Sequence, residues 1–165
     1  MAKSDTPGDW LRHFADFGIR YRLRDEHGTI AVTTDPPPLT PLSHVQLFEN
    51  VVQHRLPRDY REFLRAYGDA YACGAVFTNR CSPGGFYGLR SNSGTSLIAR
   101  WCEYLHLLPA STIPIVDDVG NGGTICLALG GASQGQVLWY HAEAGLEVVA
   151  PDFRCFLSSM RLDTD

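Results

Sequence analysis

The sequence predicts an α+β fold, in which helical and strand segments share one chain. Apolar side chains recur at helical spacing over residues 57–67. Over residues 19–33, apolar and polar side chains alternate on both sides of a turn, which is typical of a hairpin of two strands. Residues 124–141 hold two further apolar runs that flank a glycine-rich turn. The length of 165 residues fits one domain with a sizeable core.

The N-terminal residues predict a short helix followed by that hairpin. Thr6 and Pro7 can start the helix, and Gly18 can end it. Its apolar face holds Trp10, Leu11, Phe14 and Phe17. The strands follow over residues 19–24 and 29–33. Three consecutive prolines at 36–38 exclude a helix or a central strand and predict a linker.

A second helix follows the linker. Ser43 can be its N-cap, with Gln46 as the reciprocal partner of a capping box. Leu42 and Leu47 are spaced for a hydrophobic staple across the helix start. The face predicted to be buried holds Val45, Phe48, Val51 and Val52.

The third helix has the clearest sequence signals. Pro57 stands at its start, where no backbone amide is lost. Asp59 and Glu62 lie near this end, where the helix dipole favours negative charge. Gly68 predicts a left-handed stop. The predicted buried stripe holds Tyr60, Phe63, Leu64 and Tyr67.

The second half of the chain predicts mostly strands. Residues 84–89 read as a short strand or a structured loop, and residues 96–107 as a helix. The apolar side chains of that helix are Leu97, Ile98, Trp101, Tyr104 and Leu105. Strands are predicted over residues 113–116, 124–129, 136–141 and 146–149. The last helix starts at Asp152 and points Phe153, Phe156, Leu157 and Met160 at the core.

Charge and composition narrow the classes of function. The net charge is −4, and residues 62–165 hold ten acidic and six basic side chains. This balance argues against direct binding of a nucleic-acid backbone and is compatible with a basic protein partner. No apolar run approaches membrane-spanning length. The polar first residues lack an apolar signal core, so we expect a cytoplasmic protein that does not bind membranes.

Catalytic and metal sites find little support. The five cysteines are widely spaced and are interpreted as free thiols. The glycine-rich segments 120–123 and 130–135 lack the Lys-Ser or Lys-Thr of a phosphate loop. Cys102 and His106 could share a helix face, but a metal needs further ligands and nothing local activates the thiol. We therefore expect no enzyme activity, no cofactor and no metal.

Asp117 and Asp118 form a pair of adjacent carboxylates after a predicted strand. Adjacent side chains point apart, so a shared proton is not expected. Two roles remain open, namely forming the turn through bonds to the backbone and contacting a partner. If they contact a partner, exchanging both for lysine should slow association without unfolding the protein.

Three blocks of sequence resemble the SUKH superfamily, which holds bacterial toxin-immunity proteins and fungal regulators of cell-wall synthesis. The first is Leu-Pro-x-Asp-Tyr-x-x-Phe-Leu within residues 56–68. The second spans residues 113–127, with an apolar-Pro-Ile strand and an acidic turn, and the third is the closing strand and helix at 148–157. The match covers roughly residues 42–160.

The resemblance implies a single α+β domain with a mixed or mainly antiparallel sheet packed against helices. It divides the chain into an N-terminal helix-hairpin extension, residues 1–35, and a SUKH-like domain, residues 36–165. It also implies an immunity protein that binds and neutralises a cognate bacterial toxin domain, and it supplies no catalytic residue. The alternatives are a non-enzymatic regulatory scaffold of the cell-wall type and, less favoured, a small cysteine-dependent hydrolase.

The partner surface is predicted from acidic side chains and from aromatic residues beside glycine-rich segments. Acidic groups would complement a basic toxin domain, and aromatic side chains often anchor such interfaces. The predicted contacts are Asp69, Tyr71, Phe86, Tyr87, Asp117, Asp118, Glu143 and Glu147.

Overall fold

The computed structural model describes residues 9–72, 76–77, 81–120 and 122–162. A 3₁₀ turn leads into the short helix α1 (Arg12–Ala15). The predicted hairpin follows as β1 (Ile19–Arg24) and β2 (Ile30–Thr33), paired antiparallel. Gly18 has a positive φ of 69° at the predicted end of the helical segment. Thr6 and Pro7 lie outside the described residues.

Two longer helices follow the proline segment. They are α2 (Leu42–Val52) and α3 (Arg58–Tyr67). A third strand, β3 (Ala70–Ala72), comes directly after α3 and pairs with β1, which is therefore the middle strand of a three-stranded antiparallel sheet. Strand β3 was not predicted, because its three residues carry no recognisable alternation.

Five of the remaining strands form one antiparallel sheet. Short strand β4 (Val76–Phe77) precedes β5 (Pro83–Phe86), and helix α4 (Leu97–Tyr104) follows. Then come β6 (Thr112–Asp118), β7 (Thr124–Ala128), β8 (Val137–His141) and β9 (Gly145–Ala150). Helix α5 (Phe153–Ser158) leads to β10 (Arg161–Leu162), which pairs with β4. In the large sheet, β5 to β9 are hydrogen-bonded in chain order.

The main core lies between this sheet, the helices and the N-terminal segment. Phe63 of α3 stands at its centre, with its ring centroid 4.6 Å from that of Phe86 and 5.0 Å from those of Phe14 and Phe153. All four side chains are buried. The expected burial of Tyr60, Phe63 and Leu64 is confirmed. The α+β class and the antiparallel sheet packed against helices are also confirmed.

Buried side chains between residues 11 and 21 belong to the same core. Leu11, Phe14, Phe17 and Tyr21 are buried in the cluster that also contains the α3 stripe. The division into residues 1–35 and 36–165 stays a prediction, while the described part of the first segment supplies side chains to the shared interior.

Several predicted details of the helix ends are wrong. Helix α2 begins at Leu42, with Pro41 at the N-cap position, so Ser43 is already inside the helix and makes no cap. Leu42 and Leu47 are exposed rather than stapled, and Val51 is exposed as well. At the end of α3, Gly68 has an extended conformation, with φ −55° and ψ 137°.

Helix α4 ends at Tyr104, shorter than the helix predicted over residues 96–107. Ile98 in this helix and Leu105 just after it are exposed. The start of α4 is capped by Ser96, whose hydroxyl accepts a bond from the amide of Ala99.

A buried polar network replaces the predicted left-handed glycine after α3. Asp69, not Gly68, has the positive φ, at 72°. Its carboxylate is buried, accepts a bond from the hydroxyl of Ser93, and lies 3.4 Å from Nη1 of Arg90. Arg90 also donates to the carbonyls of Pro38, Arg65, Ala66 and Gly68. The guanidinium of Arg90 thus caps the C-terminal end of helix α3, because it donates to carbonyl groups that a helix C-terminus leaves without partners.

Gly88 leaves the space that the Asp69 carboxylate occupies. A Cβ atom on Gly88 would collide with that carboxylate, whereas a Cβ on Gly85 would meet nothing closer than 3.7 Å. We expect Gly88→Ala to lower the free energy of unfolding by about 1–3 kcal/mol through overpacking. Urea unfolding checks this, with Gly85→Ala as the matched control. Equal stability of the two variants would contradict it.

Candidate functional site

The acidic pair lies within strand β6 rather than in the turn that follows it. Asp117 pairs with Thr124 of β7, and the two carboxylates point to opposite faces of the sheet, as expected for neighbours in a strand. Asp117 accepts a bond from the hydroxyl of Tyr87, whereas Asp118 accepts one from Nε1 of Trp139 at 2.8 Å. The structure therefore separates the pair into two different environments.

Asp118 organises the turn from the inside. It is buried, and its Oδ1 accepts bonds from the amides of Ser82 and Gly120, both at 3.1 Å. The prediction that Asp118 offers an accessible partner contact is therefore wrong. A lysine at position 118 would bury a positive charge and remove the acceptor of three hydrogen bonds. The predicted exchange of both aspartates for lysine would therefore not leave the fold intact.

Three further predicted contact residues are buried. Asp69 is held in the network with Arg90, Phe86 packs on Phe63, and the ring of Tyr87 is fully buried. Gly88 leaves the space that the Asp69 carboxylate fills. Accessible contact through Asp69, Phe86 and Tyr87 is therefore excluded in this fold, and the prediction is wrong for them.

Four predicted contact residues retain solvent access, but they are not gathered in one place. Tyr71 is half-buried in β3, with the Arg22 guanidinium 4.3 Å from its ring centroid. Asp117 and Glu147 are half-buried on the large sheet, and Glu143 is exposed in the turn before β9. Asp117, Glu143 and Glu147 thus remain near the large sheet, whereas Tyr71 lies on the small one.

The cysteines of the described chain occupy two kinds of environment. Cys81 and Cys126 are buried, whereas Cys102 and Cys155 are exposed, and Cys73 lies outside the described residues. Burial raises the pKa of the Cys126 thiol, which disfavours its reactive thiolate. Within residues 9–72, 76–77, 81–120 and 122–162, no three His, Cys, Asp or Glu side chains are grouped to hold a metal ion.

One face of the large sheet is only partly covered. Tyr104 and Leu108, at the end of α4 and just beyond it, pack on Cys126 and Leu138 in a small second cluster. This cover stops short of edge strand β9. The side chains left exposed there and beside it are Leu107 at 56%, Leu146 at 41% and Val148 at 52%.

Two grooves lie side by side on this face. The first, which we call the apolar groove, has a volume of 390 Å³ and is lined by Leu138, Leu146 and Val148 among others. The second, the tyrosine groove, has a volume of 370 Å³ and contains Tyr104 and Tyr140. They adjoin because Tyr140 of β8 pairs directly with Leu146 of β9. Together they form a surface with an apolar middle.

Carboxylates stand around the tyrosine groove. Glu103 lines it and forms an ion pair with Arg100 at 2.8 Å. Asp117 is close enough to raise the pKa of the Tyr104 hydroxyl, although burial is the larger cause of that shift. Glu143 follows the lining residues His141 and Ala142. The apolar surface therefore has an acidic border, which is the anatomy of many protein interfaces.

This surface was not predicted, although the sequence carries a signal for it. Leu146 and Val148 alternate with Glu147 in the strand predicted over residues 146–149. That alternation was interpreted only as a strand, because the sequence does not tell whether a helix covers the outer face. The exposed side of β9 became visible only from the position of α4.

The comparison with protein families gives a match that includes the helices and strands around this surface. The model of the SMI1 / KNR4 family (SUKH-1) matches residues 41–159, which is well over half of the chain. The matched range contains α2 to α5 and all five strands of the large sheet. No curated protein shows significant sequence similarity to this chain. Among the described helices, none combines the length and the apolar character needed to cross a lipid bilayer.

Proposed function

Because the chain belongs to the SMI1 / KNR4 family (SUKH-1), we propose that it is an immunity protein, which binds a cognate bacterial toxin domain and blocks it. Members of this family are immunity proteins or regulators that act on other proteins and are generally not enzymes. The family match is the observation that carries the proposal. The exposed face of the large sheet is where we place the toxin.

The physical character of this face supports binding of a protein. Exposed Leu107, Leu146 and Val148 adjoin two grooves, so the apolar area is continuous rather than scattered. Contiguous exposed apolar surface is unusual in a protein without a partner. Most of it lies on a strand and a helix end, which a sheet scaffold holds in place for docking.

The border of this face supports a basic partner. Glu103 lines the tyrosine groove, Asp117 is close enough to raise the pKa of the Tyr104 hydroxyl, and Glu143 follows the lining residues His141 and Ala142. A toxin that cleaves nucleic acid would present a basic substrate groove, and the acidic border would complement it. Association is then expected to be fast at low salt and slower at high salt. Contact of the toxin domain with Tyr71, on the smaller sheet, is a separate prediction.

Growth rescue tests the proposal. Under this proposal the neighbouring gene encodes the toxin domain, which is expressed from an inducible promoter with and without this chain. Restored growth and co-purification of the two proteins are expected. Undiminished toxicity, with both proteins present and folded, would overturn the immunity function. It would leave a regulatory scaffold of the cell-wall type as the alternative within the same family.

Substitutions on β9 test the surface. Leu146→Asp combined with Val148→Asp places two charges in the middle of the apolar area, so toxin affinity is expected to fall by about a hundredfold or more. Both side chains are exposed, and the fold should survive. Calorimetric titration measures the affinity, and circular dichroism checks the fold. Leu47→Asp, at a leucine of α2 that is 59% exposed, is the matched control and should bind normally. Unchanged affinity of the double variant would move the interface elsewhere.

A further inference from the structure

The tyrosine groove has walls of two kinds. The rings of Tyr104 and Tyr140 both line it and meet edge to face, with centroids 6.1 Å apart and planes at 88°. The backbone of Gly122 and Gly123 forms another side, and Glu103 lies at the rim. A flat apolar group with hydrogen-bond donors at its end fits such a space better than a purely apolar one.

The electrostatic surroundings favour a cation. Glu103, Asp117 and Glu143 are the acidic side chains on or next to the groove, against Arg100 as the nearby basic one. Asp117 and Glu103 both raise the pKa of the Tyr104 hydroxyl beyond the effect of burial, while Arg100 opposes them. A positive group in the groove would therefore be attracted.

His141 lines the groove beside the tyrosine rings. Its Nδ1 accepts a hydrogen bond from the amide of Glu143 at 3.3 Å. Its ring stacks on that of Trp139, with the ring centroids 5.5 Å apart. The groove consequently has aromatic walls and an acidic rim.

The same chain already holds guanidinium groups against tyrosine rings. Arg22 stands 4.3 Å from the centroid of Tyr71, and Arg100 stands 5.7 Å from that of Tyr87 beside the groove. Arg100 also makes the ion pair with Glu103, so an aromatic ring and a carboxylate act on one guanidinium. The groove offers this pair of interactions to a group from outside.

We propose that the tyrosine groove accepts an arginine side chain of the bound toxin domain, stacked on the tyrosines and facing Glu103. This inference rests on the proposed function. A planar guanidinium can stack on a ring and still donate at its edge, whereas the ammonium of lysine is compact and more strongly hydrated. The apolar groove next to it would receive the apolar part of the same partner.

A small probe tests the groove without the toxin. Nα-acetyl-arginine amide is titrated into the folded protein to about 20 mM and followed by NMR, because one side chain binds only in the millimolar range. Shifts confined to the amides of Glu103, Tyr104, Gly122, Gly123 and His141 are expected. The citrulline analogue, which is nearly isosteric but uncharged, should bind clearly more weakly. Absence of localised shifts, or equal shifts with citrulline, would overturn the proposal.

Two variants assign the binding to the proposed side chains. Tyr104→Leu removes the ring and Glu103→Gln removes the charge, and each should weaken the arginine probe about threefold to tenfold. Glu26→Gln, at an exposed glutamate of the β1–β2 turn, is the control and should not change it. If Tyr104→Leu perturbs folding, Glu103→Gln alone decides, because it leaves the packed ring in place.

The growth-rescue experiment separates this inference from the proposed function. If the chain rescues growth but the groove does not bind the arginine probe, the immunity function is supported and the arginine subsite is wrong. Glu103→Gln with Tyr104→Leu should reduce toxin affinity at least as much as they reduce probe binding. Toxin affinity that is unchanged in a variant whose probe binding is lost would place the arginine contact outside the interface.

Discussion

Replacing Phe63 by alanine is expected to lower the free energy of unfolding by about 3–5 kcal/mol. The side chain is 1% exposed, and its ring contacts those of Phe14, Phe86 and Phe153. These three rings come from α1, β5 and α5, so the cavity would open where three distant parts of the chain meet. Rigid strands and helices around it limit how far the site can collapse.

Chemical unfolding of Phe63→Ala measures the loss. Phe63→Leu keeps most of the volume and should cost markedly less, while Leu107→Ala, at an exposed leucine, should change the stability little. If Phe63→Ala and Leu107→Ala unfold at the same urea concentration, the stripe of α3 is not the centre of the core.

Replacing Arg90 by methionine is expected to cost about 3–5 kcal/mol, because it leaves a buried carboxylate without its counter-charge. The guanidinium lies 3.4 Å from Oδ2 of Asp69, with side-chain exposures of 6% and 0%. Arg90→Met also leaves the carbonyls at the end of α3 without a donor. Arg58→Met, which breaks an exposed pair with Glu62, is the matched control and should have a small effect.

The loss in Arg90→Met should depend on pH. Burial raises the pKa of the Asp69 carboxyl, and the bonds from Ser93 and Arg90 oppose that rise. Without Arg90, the pKa in the folded variant rises further above the unfolded value. The folded variant then binds more protons than the folded wild type, so its stability falls more steeply as the pH rises. The stability difference should therefore be smallest in acid, where Asp69 is protonated. A difference that is constant with pH would contradict the charge pairing.

The sequence predicted those elements whose periodicity is long. The α3 stripe follows from helical spacing, the first hairpin from alternation on both sides of a turn, and the strands of the large sheet from apolar runs between turns. Elements of two or three residues, such as β3 and β10, were missed since so few side chains set no period. The sequence signals for the ends of the helices also gave wrong predictions. Asp69 takes the left-handed conformation after α3 because Arg90 and Ser93 hold its carboxylate, and both lie more than twenty residues away.

The candidate site was less predictable than the fold. Asp69 and Asp118 were predicted to lie at the surface because they are charged. Each carboxylate is instead buried and accepts hydrogen bonds from donors in distant segments of the chain. Conversely, Leu146 and Val148 were predicted only as part of a strand, and they form exposed apolar surface. Residue type predicts burial only on average, and the exceptions depend on which element covers which face.

Strand β1 bears on how far this chain can be shortened. The family match begins at residue 41, whereas β1 and the ring of Phe14 precede it. A fragment that starts at the match would open the edge of β3, where Ala70 and Ala72 now bond to β1, and would uncover the ring of Phe63. An unprotected strand edge beside apolar surface invites pairing with other chains. We therefore expect that a stable fragment must include α1 and β1, and that a fragment trimmed at residue 41 aggregates.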